Sequence, residues 1–188
     1  TYTRIITQSD RSKKKRTWKN VNIDNKGRIQ ESEGVTYTEI ITQTDGSTKE
    51  WTWKNLNIDN KGRIQESEGV TYTMKITKAD KSTDMCVLEK VQYGNNGFLQ
   101  ESKGVTHTRI ATKPDGSEKT VICENVNVDN EGRIQESEGV TKTVITTNPD
   151  GTKNTKIWKN VKLDIDGRIQ ESEGVTYTRI ITQKDGSR

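Results

Sequence analysis

The chain contains few of the residues that build active sites, disulfide frameworks or membrane spans. Its 188 residues include one histidine and two cysteines, and only 27% are hydrophobic. An ordinary domain is roughly 45–50% apolar, so a thick two-layer core is hard to supply. No apolar run reaches the roughly 18 residues that a membrane helix needs, so no membrane insertion is expected. No Asn-x-Ser/Thr sequon occurs, so glycosylation gives no information on compartment.

Charge is plentiful but nearly balanced, because 31 basic residues face 27 acidic ones and the net charge is +4. The two signs are interspersed, which gives weak long-range attraction for nucleic acid. The one basic run, 11–16, occupies the position of hairpin-loop residues in other copies of the repeat described below. We therefore interpret it as a solvated loop and expect no nucleic-acid partner.

The cysteines and the histidine follow no metal or catalytic spacing. Cys86 and Cys123 occupy positions where another copy of the repeat has Trp51 and Trp53, and His107 replaces a strand tyrosine. We interpret all three as packing replacements. A Cys86–Cys123 bridge would require a register that the sequence does not establish. We predict no catalytic residues, no metal site, no cofactor and no enzymatic activity.

A 35-residue repeat organises the whole chain. Its marker reads Gly-Arg-Ile-Gln-Glu-Ser-Glu-Gly, with a drifted third copy, and it starts at Gly27, Gly62, Gly97, Gly132 and Gly167. The chain is thus a single array with units 1–35, 36–70, 71–105, 106–140 and 141–175 and a partial unit 176–188. Residues 1–8 repeat as 176–183. We expect a window from a longer array; the alternative is one edge strand used at both ends.

Each unit carries two turn signals separated by β-forming segments. In the second unit these are Asp45-Gly46-Ser47 and Asp59-Asn60-Lys61-Gly62, where glycine permits positive φ. The segments between them are rich in Thr, Val, Ile, Tyr and Trp, and apolar residues alternate with polar ones. Alternation predicts a sheet with one dry face. It slips between Trp53 and Leu56 and again at 67–69, which predicts bulges or bends.

Short connections predict antiparallel neighbours, and hence an all-β meander of tandem hairpins. Three architectures remain: an open twisted or superhelical sheet, a closed barrel or five-unit ring, and a stacked solenoid. Glutamates recur in one column at Glu31, Glu66, Glu101, Glu136 and Glu171. In a one-unit-per-coil solenoid they would stack about 4.8 Å apart and repel by about 1 kcal/mol per pair. The open sheet is therefore favoured.

The turn motif has a family resemblance. Residues 57–64, Asn-Ile-Asp-Asn-Lys-Gly-Arg-Ile, are followed by a strand rich in Thr and Tyr. This pattern resembles the YD or RHS repeat and the variant MORN repeat. The resemblance implies an extended, twisting antiparallel sheet that serves as a scaffold or shell, and it implies no catalysis.

Three repeated features are candidates for binding. The first is Gln-Glu-Ser, whose carboxylate, amide and hydroxyl suit a sugar or Ca²⁺; the candidate residues are Gln30, Glu31, Gln65, Glu66, Gln100, Glu101, Gln135, Glu136, Gln170 and Glu171. The alternative is a cross-strand network with Arg63 and Lys54. The second is the column of Trp18, Trp53 and Trp158, which we interpret as core. The third is Thr-x-Thr, which suits ordered water but is also a common strand pattern.

These patterns favour a non-enzymatic structural or adhesive surface protein that acts as an extended scaffold. Repetition raises avidity without a tight single site. The alternative is a multivalent carbohydrate-binding module with about five equivalent sites. A third hypothesis is fibre assembly through open sheet edges. The expected partners are thus a second copy of the chain or a surface glycan, and the expected location is extracellular or on the cell surface.

Overall fold

The computed structural model describes residues 1–7 and 11–187 and contains a single open antiparallel sheet. The strands are β1 (Tyr2–Thr7), β2 (Lys13–Lys19), β3 (Ser32–Thr42), β4 (Thr48–Ile58), β5 (Ser67–Thr77), β6 (Thr83–Tyr93), β7 (Leu99–Gln100), β8 (Ser102–Thr112), β9 (Glu118–Val128), β10 (Ile134–Gln135), β11 (Ser137–Thr147), β12 (Lys153–Leu163), β13 (Ile169–Gln170) and β14 (Thr176–Thr182). The predicted all-β meander is confirmed, and the closed barrel or ring is not formed.

The long strands pair with their neighbours along the chain, from β1 through β6 and on to β8, β9, β11, β12 and β14. The short strands β7, β10 and β13 pair back onto β6, β9 and β12. Equivalent strands of successive units are therefore two strands apart, about 9.6 Å. At this spacing, the recurring glutamates of successive units do not stack on adjacent strands, as they would in a solenoid with one unit per coil.

Both predicted turns close with the same hydrogen bonds. Gly46 N donates to Gln43 O and Gln43 N donates to Ser47 O, at 3.1 and 2.9 Å. In the second turn, Gly62 N donates to Asp59 O and Asp59 N donates to Arg63 O, both at 3.0 Å. Glycine has positive φ in each turn, as a hairpin closed by a glycine bulge requires.

The two predicted irregularities are β-bulges. Between Val35↔Leu56 and Tyr37↔Trp53, one strand contributes one more residue than its partner. Asn55 has φ +66° at this bulge, and its side-chain Nδ2 donates to Glu68 O on the neighbouring strand β5. The second bulge lies at 68–69 and is repeated in the other long hairpins.

The dry region occupies one end of the sheet, so the expectation of one dry face was wrong for most of it. Fully buried side chains lie near the second turns; they are Val35, Leu56, Ile58, Val70, Leu88, Val91, Val105, Val126, Val128, Val140, Val161 and Leu163. Ile29, Ile64 and Ile134 of the return segments pack against this core. By contrast, every residue of 36–42 stays partly exposed although alternate side chains point to opposite faces.

The basic run is largely strand. Residues 13–16 belong to β2, not to the solvated loop that its position predicted. Lys14 Nζ lies 2.7 Å from Glu39 Oε1, and Arg16 Nε lies 2.8 Å from Glu39 Oε2. Part of the positive charge is therefore neutralised by a carboxylate on β3. Residues 8–10, which precede the run, lie outside the described part of the chain.

Candidate functional site

In the first four Gln-Glu-Ser segments, serine is the buried member, and it organises the backbone. Ser67 is 2% exposed; its Oγ accepts from Asn57 N at 2.9 Å and donates to Gln65 O at 2.8 Å. The same pair of bonds recurs at Ser32, Ser102 and Ser172. The hydroxyl is thus fully used in joining the return segment to the strand before it.

The glutamine amides are directed largely toward the protein itself. Gln65 Nε2 donates to Ile64 O at 3.2 Å, and Gln30 and Gln100 make the equivalent bond. Gln135 and Gln170 instead donate to an aspartate of the second turn. The candidate amides therefore have internal partners, and they do not present five equivalent free groups.

The five glutamates of the candidate set are all exposed. The alternative placed these segments in a cross-strand network with Arg63 and Lys54. Its ion pair with Arg63 was wrong, because the Arg63 guanidinium pairs with the Asp59 carboxylate at 2.7 Å. Partial burial acts to raise the pKa of Asp59, but hydrogen bonds from the Arg63 backbone N–H and guanidinium outweigh it, so the pKa is lowered. In the last full unit, Lys162 Nζ lies 3.6 Å from Glu136 and 3.2 Å from Glu138.

The tryptophan column is half of a continuous aromatic ladder across the first five strands. Ring centroids are 5.5, 4.9, 5.2 and 5.5 Å apart along Tyr2, Trp18, Tyr37, Trp53 and Tyr72. Alternation of Tyr and Trp follows from register, since each tyrosine pairs directly with a tryptophan of the neighbouring strand. Sequence periodicity found each column separately but could not show that the columns meet.

The ladder is interrupted where the repeat drifts. Leu88, His107, Cys123 and Lys142 occupy the next four positions before Trp158 and Tyr177 resume it at 5.3 Å. Cys123 is buried, and Lys142 Nζ donates to Gly167 O at 2.8 Å. All four replacements are thus smaller or more polar than the aromatic residues of other units, and Lys142 reaches the overlying turn.

The two cysteines lie on either side of His107. Cys86 Sγ is 3.6 Å from His107 Nε2, while Cys123 pairs with His107 on the next strand. Both cysteines are free, and a whole strand separates them, so their Cα atoms exceed the reach of a disulfide. Burial raises the pKa of Cys86 and lowers that of His107, which favours the neutral thiol and neutral imidazole.

The Thr-x-Thr motif lies on the sheet face opposite the aromatic ladder. Threonines pair directly across adjacent strands at Thr3, Thr17, Thr38, Thr52 and Thr73. Val87 and Ile122 interrupt this column further along the sheet. The threonine surface is therefore regular only over the first five strands.

A groove of about 780 Å³ opens over the first rungs of the ladder. Tyr2, Trp18 and Tyr37 line it on the sheet side, and the second turns at 59–65 and 95–97 form the other wall. Of the candidate residues, Gln65 lies in this groove. Glu101, Gln135, Glu136 and Glu171 line smaller depressions elsewhere.

Residues 1–7 and 11–187 include no cluster of three or more His, Cys, Asp or Glu side chains placed to hold a metal ion. The same part of the chain contains no helix of the length and apolarity that crosses a membrane. Comparison with protein-family models, with curated proteins and with solved structures finds no match. The resemblance to YD and variant MORN repeats therefore rests on the turn motif alone.

Proposed function

We propose that this chain is a non-enzymatic structural or adhesive repeat protein that acts as an extended scaffold at a cell surface. The observation that supports the proposal is the open sheet, in which one unit recurs every two strands and residues on both faces stay partly exposed. Such a sheet encloses little space for chemistry but offers many similar faces. Repeated weak contacts then combine into strong attachment.

Surface location is tested by applying antibodies against the chain to intact and to permeabilised source cells. The proposal expects labelling of intact cells at a level close to that of permeabilised cells. A cytoplasmic protein detected in parallel controls for membrane integrity. Labelling that requires permeabilisation would contradict a surface role.

Self-association through sheet edges is the second part of this proposal. β1 and β14 are the outer strands of the described sheet, and each leaves a row of backbone donors and acceptors without a neighbouring strand. Light scattering across a hundredfold range of protein concentration should show a mass that rises with concentration. A constant monomer mass across the whole range would rule out fibre assembly.

A multivalent carbohydrate-binding module is the alternative function. It is favoured by the exposure of all five glutamates in the repeated Gln-Glu segments. The discriminating measurement is stoichiometry: titration of a glycan identified on an array should give about five equivalent sites per chain. A single site, or no binding to any glycan, would count against this alternative.

A further inference from the structure

The groove over the aromatic ladder carries an unpartnered polar group. Trp18 is only 8% exposed, and its Nε1 has no hydrogen-bond partner among the described residues. The equivalent Trp53 Nε1 donates to Tyr93 Oη at 2.8 Å. At the end of β4, just before the second turn that covers Trp18, the counterpart of Tyr93 is Ile58, which offers no acceptor. The first indole N–H is therefore left for an acceptor that enters the groove.

This N–H is reachable from the groove. No side-chain nitrogen or oxygen of the described residues is both fully buried and without a partner, so Trp18 Nε1 retains some contact with the groove. Gly62 lies above the indole, where an added Cβ would sit 3.7 Å from Nε1. The absence of a side chain at this glycine keeps the space over the indole open.

The groove also presents cations without carboxylate partners. Of its basic side chains, Arg16 is paired with Glu39 and Arg63 with Asp59. Arg4 and Lys61 also line the groove, and neither forms an ion pair within the described residues. Together with the amides of Asn95 and Asn96, the lining supplies many donors, while its one carboxylate is already occupied.

This combination is not repeated along the array. One unit later, the positions of Arg4, Arg16 and Lys61 hold Glu39, Trp51 and Asn96. The next groove is therefore anionic or neutral at those positions, and Tyr93 satisfies its indole. The first groove is a distinct site and not one of a set of equivalents.

We propose that this groove binds an acidic oligosaccharide. Exposed parts of the Tyr2 and Tyr37 rings stack against sugar rings, and Arg4 and Lys61 bind carboxylate or sulfate groups. Trp18 Nε1 donates to a ring substituent that enters the groove. The contacts proposed here come from residues outside the Gln-Glu segments, although Gln65 also lines the groove. They do not depend on the scaffold role, so the two proposals fail independently.

The test is titration of the full chain with tetragalacturonate, which carries carboxylates only, and with a heparin-derived octasaccharide, which adds sulfates. Cellotetraose is the neutral control, and a deoxythymidine decamer tests for nucleic acid. Isothermal calorimetry measures affinity, and the indole N–H resonances of the four tryptophans locate the site. Binding of either acidic saccharide, with the Trp18 resonance shifted and the Trp158 resonance unchanged, is the expected result.

Variants connect binding to the groove. Trp18→Phe keeps a ring but removes the donor, and it should weaken binding about tenfold. Lys61→Gln should weaken binding by a similar factor. Lys26→Gln, at the same position in the second turn of the first unit and outside the groove, should change it less than about twofold. Thermal unfolding of each variant checks that it folds, and Lys61 is exposed enough to be replaced safely.

Three results would overturn the proposal. One is the absence of binding of both acidic saccharides at millimolar concentration. Another is equal weakening by Lys26→Gln and Lys61→Gln, which would indicate attraction by overall charge. The third is tighter binding of the deoxythymidine decamer than of either saccharide, which would reassign the groove to single-stranded nucleic acid.

Discussion

At the residue scale, glycines of the two turns face different surroundings although they share the same backbone conformation. Gly116 has φ +83° with nothing within 4 Å of an added Cβ. Gly132 has φ +79°, and an added Cβ would lie 2.9 Å from Leu88 Cδ1. The first turn thus favours glycine for its conformation alone, and Lys81 takes the equivalent position at φ +68°. The second turn favours glycine also because it rests on the unit before it.

Alanine at these two positions should separate the two requirements. Gly116→Ala should lower the free energy of unfolding by about 1–2 kcal/mol through strain at positive φ. Gly132→Ala should cost about 1–3 kcal/mol more, because Leu88 has to move. Urea unfolding of both variants measures the difference. Equal losses of unfolding free energy would show that Leu88 moves aside at little energetic cost.

The pKa of His107 makes stability depend on pH. Burial, and then the nearby Arg109, lower the pKa of this imidazole from its ordinary value of 6.5. The unfolded chain therefore binds a proton at His107 more readily than the folded protein does. The folded protein keeps its full stability above the His107 pKa of the unfolded chain, and loses stability as the pH falls through the lower pKa of the folded state. His107→Tyr restores the residue of most other units and should flatten the decline in unfolding free energy between about pH 7.5 and 5.

Unfolding measurements at lower pH, where aspartates rather than His107 titrate, provide the control for this prediction. The pKa values of Asp59 and Asp129 are also lowered, from the ordinary aspartate value of 3.8, so both carboxyls titrate below the pH range of His107 in both proteins. Wild type and His107→Tyr should therefore lose stability in parallel there. A variant that keeps the full pH dependence between about pH 7.5 and 5 would assign that dependence to another group.

At the scale of elements, the return segment after each second turn is held by serine rather than by glutamate. Ser67 Oγ bonds both Asn57 N and Gln65 O from a buried position, whereas Glu66 is exposed. The sequence predicted the recurrence of Gln-Glu-Ser but not which member is buried. That depends on the bulge at 68–69, which turns the serine inward.

Ser67→Ala should lower the free energy of unfolding by about 1–3 kcal/mol, since it leaves a buried backbone N–H without an acceptor. Glu66→Gln should change it by less than about 0.5 kcal/mol, as expected for an exposed side chain. Denaturant unfolding compares the two. A larger loss from Glu66→Gln would place an unrecognised structural role on the candidate glutamates.

At the scale of the whole molecule, the chain exposes far more surface than a compact protein of its mass. Its accessible surface is 11751 Å² at 21.3 kDa. A compact monomer of this mass exposes about 9,100 Å². The excess follows from the single-layer part of the sheet, and it accounts for a composition with only 27% hydrophobic residues.

Solution scattering should therefore report a flat particle. Eleven long strands side by side span about 48 Å at the usual spacing. The radius of gyration should clearly exceed the about 16 Å expected for a compact domain of this length. The measurement is made at low protein concentration to exclude association. A value near 16 Å would contradict the open sheet.

The sequence by itself determined the unit, the turns, the bulges and the open antiparallel order. Each depends on local chemistry: glycine at positive φ, alternating side chains and connections too short for a crossover. Tertiary structure decided which glutamine and serine groups are occupied and where the dry region lies. It also brought the tyrosines and tryptophans into one ladder beneath the second turns. The ladder and the dry region depend on contacts between neighbouring strands and turns, and their register is set by packing across strands rather than by any local pattern.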